Sequence, residues 1–235
     1  MKKKLLSIIL WLSIIFAIII LLNIGVTTHQ GVNFRVHAMR VPLYLKVLDF
    51  FDRHFNYKQL VNDIIKDSKS DEERAMKIFA WTYKNIRPNP KELPVIDDHV
   101  WHIIIRGYGA DDQSCDVLTT LCNYAGIDSF FTWVYSGDQQ RISLSFVRLN
   151  QKWTVFDSYR GVYFKNEKGG LADIGEIGSG KYQVSKSNDI EMDYTNFLNN
   201  LPSVKAMGMS RSNIQSPLRR LFYQVCVKLL KRNKN

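Results

Sequence analysis

Cys115 has the most nucleophilic side-chain type in this sequence, because a cysteine thiolate attacks a carbonyl carbon when a histidine accepts its proton. His99 and His102 precede it in the chain and are the histidines considered for that base. A structural interpretation competes with this one, since three residues share the predicted helical face of Cys115, namely Leu118, Cys122 and Ala125. Cys115 is therefore either a divergent nucleophile or a small apolar core residue.

The predicted helix that carries this cysteine covers about residues 111–125, and Gly126 follows it as a left-handed C-terminal residue. Further helices are predicted between residues 42 and 86, where apolar residues recur at helical spacing. Ser70 is the expected N-cap of the last of them, with Glu73 reaching back to its amide in a capping box. All of these helices precede the predicted strands.

The pattern changes from helices to strands after this point. Apolar and aromatic residues fill three segments, at 130–135, 142–149 and 153–156. Asn150 and Gln151 make a tight turn between the last two segments. Helices followed by an antiparallel sheet predict the α+β class.

Three segments occur in a characteristic order, namely Gly107-Tyr108-Gly109-Ala110-Asp111-Asp112-Gln113, Tyr124-Ala125-Gly126-Ile127 and Leu149-Asn150-Gln151-Lys152-Trp153-Thr154-Val155-Phe156-Asp157. They resemble the core of the transglutaminase-like superfamily, which is related in fold to papain-like cysteine proteases, over about residues 70–165. The resemblance implies a papain-like core with a Cys at a helix start, a His at the start of the later hairpin and an Asp after the Trp. A helix N-terminus favours the thiolate, the His accepts its proton, and the Asp orients the imidazole.

Only one of the three family positions keeps the family's residue type. Asp111 stands where the family has its Cys, Ile142 where it has its His, and Asp157 matches its Asp. Ser143 lies beside the second position. The resemblance therefore implies a domain with a degenerate triad. Because Asp is a preferred helix N-cap, Asp111 or Asp112 is expected to satisfy amides in the first turn of the helix. Asp157 is expected to accept hydrogen bonds at the end of the sheet.

A transglutaminase-like cleft without catalytic residues is still a groove, and aromatic side chains are its expected lining. Four of them are candidate contact residues for a protein or glycan ligand, namely Tyr108, Trp133, Tyr135 and Tyr159. Each is also an ordinary aromatic of a core or of its rim, so both interpretations stay open.

Residues 5–22 form an apolar run interrupted only by two serines, and at about 1.5 Å per residue they are long enough to cross a bilayer's hydrocarbon layer. A signal peptide is the alternative, although residues 23–28 offer no small-x-small cleavage site. Lysines at positions 2–4 precede the run, so the positive-inside rule predicts a cytoplasmic N-terminus and an extracytoplasmic domain. Residues 1–24 are therefore predicted to be an uncleaved transmembrane signal anchor.

The rest of the chain divides into four predicted segments. They are a juxtamembrane connector and helices at 25–69, of which 25–41 lack periodicity, the transglutaminase-like core at 70–165, a loop-rich extension at 166–215 and a basic amphipathic helix at 216–235. The last helix either lies on an anionic membrane surface or packs its apolar stripe against the domain.

A net charge of +10 indicates a solvated, lysine-rich surface, and without an Arg-rich run that contains aromatics it predicts no nucleic-acid partner. The sequence contains no Cys-x-x-Cys motif and no His-rich cluster, so it predicts no metal site, and no cofactor is expected. Residues 175–181 fit the phosphate-loop pattern Gly-x-x-x-x-Gly-Lys, but Tyr182 follows where a Ser or Thr binds magnesium. A glycine-rich surface turn is therefore preferred to a nucleotide site.

Three functional hypotheses follow. The first is a membrane-anchored, non-catalytic binding domain in a cell-envelope or surface-polysaccharide context. The second is a divergent cysteine hydrolase or acyl transferase that uses Cys115. The third is a lipid-facing scaffold whose residues 216–235 bind the membrane surface.

Overall fold

The computed structural model describes residues 2–97, 99–186 and 192–201. Within these ranges the helices are α1 Lys2–Leu22, α2 Leu43–Ile64, α3 Asp71–Asn85, α4 Val100–Arg106, α5 Asp111–Tyr124, α6 Ile174–Gly178 and α7 Thr195–Leu198. The strands are β1 Gly25–Val32, β2 Arg35–Pro42, β3 Arg87–Pro88, β4 Ile96–Asp97, β5 Tyr108–Gly109, β6 Ser129–Tyr135, β7 Arg141–Leu149, β8 Lys152–Asp157, β9 Val162–Lys165 and β10 Gln183–Lys186. The predicted helix at 216–235 lies outside the described residues.

Helix α1 has the length and composition of a membrane span. Its 21 residues extend about 31 Å, close to the thickness of a bilayer's hydrocarbon layer. Its apolar side chains are exposed rather than packed against the domain. One apolar N-terminal helix can therefore anchor this chain in a membrane, although a signal sequence has the same properties.

Residues 25–41, predicted as a connector, form a β-hairpin that their lack of periodicity does not indicate. Strands β1 and β2 pair along their whole length, and β4 pairs with the other edge of β1. Asn33 and Phe34 make the turn with φ angles of 47° and 65°. Every side chain of β2 from residue 35 to 40 is exposed, so no apolar alternation marks the strand in the sequence. Backbone pairing rather than burial of one face defines this hairpin.

The main sheet has five antiparallel strands in the order β10-β9-β8-β7-β6, and α5 packs against β6 and β7. Two apolar clusters lie on its two faces. The cluster between helices and sheet includes Phe79, Leu121, Val147 and Phe156. The cluster on the other face includes Leu144, Phe146, Val155 and Phe164. Helices followed by an antiparallel sheet confirm the α+β class.

The local signals that place these elements are mostly confirmed. Ser70 Oγ accepts a hydrogen bond from the Glu73 amide at 3.2 Å. The Glu73 carboxylate accepts from the Lys69 amide at 2.6 Å rather than from that of Ser70, so the predicted capping box is displaced by one residue. Gly126 follows α5 with φ of 83°, and the β7–β8 turn has the two expected residues, with φ of 49° and 67°. Glycine is favoured after α5 because other residues are strained at this φ.

Residues 175–181 form a short helix and a turn. Asp173 caps α6, because its carboxylate accepts a hydrogen bond from the Glu176 amide at 2.9 Å. The Glu176 carboxylate in turn accepts a hydrogen bond from the Asp173 amide. Amides of α6 and of the following turn donate to carbonyl oxygens three to five residues earlier in the chain, as those of Ile177, Ser179 and Lys181 do. A phosphate loop needs such amides for its ligand. This arrangement supports the glycine-rich turn.

Candidate functional site

The Gly-Tyr-Gly motif leads directly into the first turn of α5. Ala110 is the N-cap, one residue before Asp111 and two before Asp112, so neither aspartate holds the N-cap position itself. Ala110 is extended and its carbonyl accepts from the Ser114 amide, which places the start of the helix there. The aspartates still satisfy first-turn amides. Asp111 accepts from the Asp112 amide and Asp112 from the Gln113 amide, both at 2.9 Å.

A hydrogen-bonded pair links the start of α5 to strand β7. Asp111 Oδ2 accepts from the Ser143 amide at 3.2 Å and from the Ser143 hydroxyl at 3.1 Å. Ser143 is fully buried, so both donors depend on this carboxylate. The two residues stand at the helix start and the strand where the family resemblance expects a nucleophile and its base.

Ile142, the position counted for the family's histidine, points away from this pair. Its side chain belongs to the apolar cluster on the far face of the sheet, with Leu144 and Phe146. Successive side chains of a strand alternate between faces, so its neighbour Ser143 faces α5 instead. A count along the sequence is ambiguous by one residue at this point, and only the strand pairing shows which residue meets Asp111.

Cys115 lies one turn further into α5 and is fully buried. Its sulfur donates to the Ser143 carbonyl oxygen at 3.3 Å and accepts from the Ser158 hydroxyl at 3.8 Å. Burial raises the pKa of this thiol, and the nearby carboxylate of Asp157 raises it further. A catalytic cysteine needs an accessible thiol with a lowered pKa. The environment of Cys115 has the opposite effect.

The two histidines considered as partners lie at the start of α4. His99 is the N-cap of that helix, and its ring contacts that of His102 at a centroid distance of 5.8 Å. The groups that contact the Cys115 sulfur lie on the sheet side, at Ser143 and Ser158. The structure therefore brings the two histidines together, but the hydrogen bonds of the Cys115 thiol go to Ser143 of β7 and to Ser158, which follows β8.

Asp157 is fully buried at the end of β8 and is held by two partners. Arg160 donates to it from its amide at 2.9 Å and from its guanidinium at 3.0 Å. Tyr194 donates its hydroxyl to the same carboxylate at 2.8 Å. The role expected of Asp157, a hydrogen-bond acceptor at the sheet end, fits this geometry. Tyr194 could not be found from the sequence, since it lies 37 positions away with no motif around it.

The four candidate contact aromatics fall into two pairs. Trp133 and Tyr135 are 43% and 50% exposed and project from β6 on the same face as Ser143, which is opposite Trp133. The Arg141 guanidinium lies over the Trp133 ring at 4.8 Å from its centroid. Tyr108 and Tyr159 are partly buried, with arginine guanidinium groups at 5.8 Å and 5.4 Å from their ring centroids. Arginine–aromatic pairs therefore occur at three of the four positions.

A group of carboxylates near the start of α5 was not singled out in the sequence. Burial raises the pKa of Asp116 well above its usual range, and the carboxylates of Asp97 and Asp112 raise it further. Asp112 also has a raised pKa, caused by burial and then by Asp111. Across the described ranges, no group of three or more His, Cys, Asp or Glu side chains is arranged to hold a metal ion. Burial first and repulsion between the carboxylates second therefore disfavour negative charge on Asp112 and Asp116.

Comparison with known proteins gives similar solved structures only. No protein-family model matches the chain, and no curated protein matches it. A candidate protease from Parabacteroides distasonis is 13% identical, with a TM-score of 0.37, covering 56% of this chain and 35% of that one. A candidate cysteine protease from Cytophaga hutchinsonii is 13% identical, with a TM-score of 0.41, covering 65% of this chain and 58% of that one.

A third similar structure, described as a TGase, is 8% identical, with a TM-score of 0.36, and the match covers 56% of this chain and 43% of that one. This chain therefore spans about a third to three fifths of the length of the structures it matches. Structural likeness at this level says nothing about activity, so the function has to be argued from the chain's own residues.

Proposed function

We propose that this chain is a membrane-anchored transglutaminase-like protein that acts by binding and not by catalysis. Residues 5–22 hold it in the membrane, with the N-terminus cytoplasmic and the domain extracytoplasmic. Its ligand is a protein or glycan of the cell envelope, which contacts Tyr108, Trp133, Tyr135 and Tyr159. No cofactor or metal takes part in this function.

The hydrogen-bonded pair of Asp111 and Ser143 carries the proposal. A carboxylate is a weak nucleophile toward amides, and a serine hydroxyl is not a base that accepts a proton near neutral pH. Both donors of Ser143 are already committed to Asp111. Such a pair supports a link between helix and sheet rather than acyl transfer.

The alternative enzyme, a hydrolase or acyl transferase that uses Cys115, is less well supported. Its nucleophile is fully buried, and burial raises the pKa of the thiol. The Cys115 sulfur is engaged by Ser143 and Ser158, which are not bases. We therefore keep this activity as the outcome that would overturn the proposal.

The exposed aromatics support the binding role. Trp133 and Tyr135 offer flat apolar surface on one face, and an arginine lies beside them. Exposed aromatic rings with adjacent polar groups are typical contact residues for proteins and sugars. Tyr108 and Tyr159 are half-buried, so they expose less surface to a ligand.

The test combines turnover and binding, with the full chain in lipid nanodiscs. Amine incorporation into a glutamine donor and cleavage of casein peptides are measured first, and both are expected to equal the background without protein. Turnover that Cys115→Ser abolishes would establish the enzyme instead. Binding to a panel of envelope polysaccharides and surface proteins is then measured, and Trp133→Ala is expected to weaken it roughly tenfold.

The matched control is Ile105→Ala, because Ile105 is an exposed apolar residue, 67% accessible, on α4. It should leave binding unchanged. Equal loss in both variants, or no binding by the unaltered chain to any member of the panel, would contradict the binding role. A reporter fused to the C-terminus tests the orientation, since it is expected to be active only outside the cytoplasm.

A further inference from the structure

Helix α2 has two apolar faces, and only one of them is covered. Tyr57 and Val61 are buried and face the core together with the partly buried Leu60 and Ile64. Four further residues form an outer stripe, namely Tyr44, Leu48, Phe51 and Phe55, with exposures of 37%, 61%, 47% and 63%. At about 100° per residue the outer stripe lies about half a turn away from the core face. Within the described part of the chain, α2 therefore buries one apolar stripe against the core and leaves the outer stripe exposed.

The outer stripe begins at the end of the apolar N-terminal helix. The hairpin leaves α1 and returns to it, because Gly25 lies opposite Pro42 in the strand pairing. The Leu43 amide then donates to the Ile24 carbonyl oxygen at 2.9 Å. Lys46 Nζ donates to the Thr27 carbonyl oxygen at 2.9 Å, which ties the first turn of α2 to β1. The start of α2 is thus held within a few residues of the end of α1.

We propose that the outer stripe lies in the interfacial layer of the membrane that α1 anchors, in contact with lipid. The proposal rests on the membrane anchoring of the proposed function and goes beyond it by assigning α2 a membrane-contact surface. If α1 spans a bilayer, α2 begins at the boundary between hydrocarbon and headgroups. Tyr is enriched at that depth, and Phe and Leu are typical of the apolar face of interfacial helices, so all four members of the outer stripe suit this position. Continuity with α1 favours lipid over a soluble partner.

The length of the stripe determines how α2 would lie. From residue 44 to residue 55 a helix rises about 17 Å, whereas the interfacial layer on one side of a bilayer is only about 5–7 Å thick. All four side chains can contact this layer only when α2 lies nearly parallel to the membrane plane. The core face then points away from the lipid, because the two faces are opposed. The domain therefore sits above the membrane on α2, as amphipathic interfacial helices do.

The experiment measures the depth of a fluorescent label on the full chain in nanodiscs. Bimane is attached at Leu48→Cys or Phe55→Cys, in a chain that also carries Cys226→Ser. Cys115 and Cys122 are fully buried, so they stay unlabelled in the folded protein. Ile105→Cys is the matched control, since Ile105 is an exposed aliphatic residue of α4. Ile15→Cys reports on the anchor itself. Quenching is compared between doxyl-labelled phosphatidylcholine and aqueous iodide.

Labels on the outer stripe are expected to be quenched by doxyl lipid at least about threefold more than the control label, and less by iodide, because they lie at the depth of the lipid interface. Strong iodide quenching at the stripe, equal to that of the control, overturns the proposal. Protection from both quenchers also overturns it, because a protein surface then covers the stripe. If the Ile15 label is shielded from iodide and quenched by doxyl lipid, but the labels on the outer stripe are not quenched by doxyl lipid, the membrane anchoring by α1 is supported and only this inference is wrong. If the Ile15 label is not quenched by lipid, the anchoring fails.

Discussion

Replacing Asp111 with alanine separates a structural role of this carboxylate from a functional one. Asp111 accepts hydrogen bonds from the Ser143 amide and hydroxyl and from the Asp112 amide. Asp111→Ala leaves the two donors of the fully buried Ser143 without their acceptor. Each buried donor without a partner costs about 1–3 kcal/mol, and the hydroxyl can rotate to a new acceptor, so we expect a loss of about 2–4 kcal/mol of unfolding free energy.

The assay is urea unfolding of the full chain in detergent micelles, followed by tryptophan fluorescence. Trp133 lies directly opposite Ser143 in the strand pairing and reports on this end of the sheet. A double-mutant cycle with Ser143→Ala isolates the interaction with the hydroxyl, for which we expect a coupling of about 1–2 kcal/mol. The remainder of the loss then comes from the Ser143 and Asp112 amides.

The matched control is Asp112→Ala, in the same helical turn. Asp112 accepts from the Gln113 amide, and burial raises its pKa, which means that its charge is disfavoured in the folded state. Its removal should therefore cost less than about 1 kcal/mol. An unchanged or raised stability of Asp111→Ala would refute the structural role, because residues kept for chemistry or binding do not have to stabilise the fold.

Three further predictions test the buried groups and the helix start. Cys115 and Cys122 are expected to react with iodoacetamide at least about a hundredfold more slowly in the folded than in the denatured chain, because both are fully buried. Alkylation is measured by peptide mass spectrometry, and fast alkylation of Cys115 alone would support the enzyme hypothesis instead. Asp116→Asn is expected to raise the urea midpoint at pH 7 and to leave it nearly unchanged at pH 3.5. Burial raises the pKa of Asp116, so the folded chain loses stability as the pH rises from the unfolded pKa of about 3.9 through the higher folded pKa. Each tenfold change in proton affinity corresponds to about 1.4 kcal/mol of unfolding free energy. A lower urea midpoint of the variant than of the unaltered chain at pH 7 would contradict this sign. Ser70→Ala is expected to cost about 1 kcal/mol, because it removes the cap on the Glu73 amide, and an unchanged unfolding curve would show that the cap contributes nothing.

The elements that could be predicted from the sequence are those with local signals. The glycine after α5 and the two-residue turn between β7 and β8 have the backbone angles that their residue types favour. The hairpin at 25–41 lacks such a pattern, because its second strand is exposed on both faces and no apolar alternation is required. Pairing between backbones leaves little trace in a single sequence.

The candidate site was predicted only in part, and for a related reason. Asp111 and Asp157 could be located because a motif and a tryptophan lie beside them. Ser143 was passed over in favour of Ile142, since the face of a strand changes with every residue. Arg160 and Tyr194 donate hydrogen bonds to Asp157, but both lie outside the motif, and no sequence pattern around them indicates this role. Long-range partners of a buried carboxylate depend on tertiary packing.

The hydrogen-bond partners of these residues explain why they do not form a working triad. Asp111 meets Ser143 on the face that α5 covers. Asp157 is bound by Arg160 and Tyr194 instead of orienting a base, although its carboxylate lies near the Cys115 thiol of α5. The first turn of α5 keeps a negative group where the family has a thiolate, but here its charge is used by the donors of a buried serine. In this chain, hydrogen bonds to the Asp111 carboxylate therefore link α5 to β7.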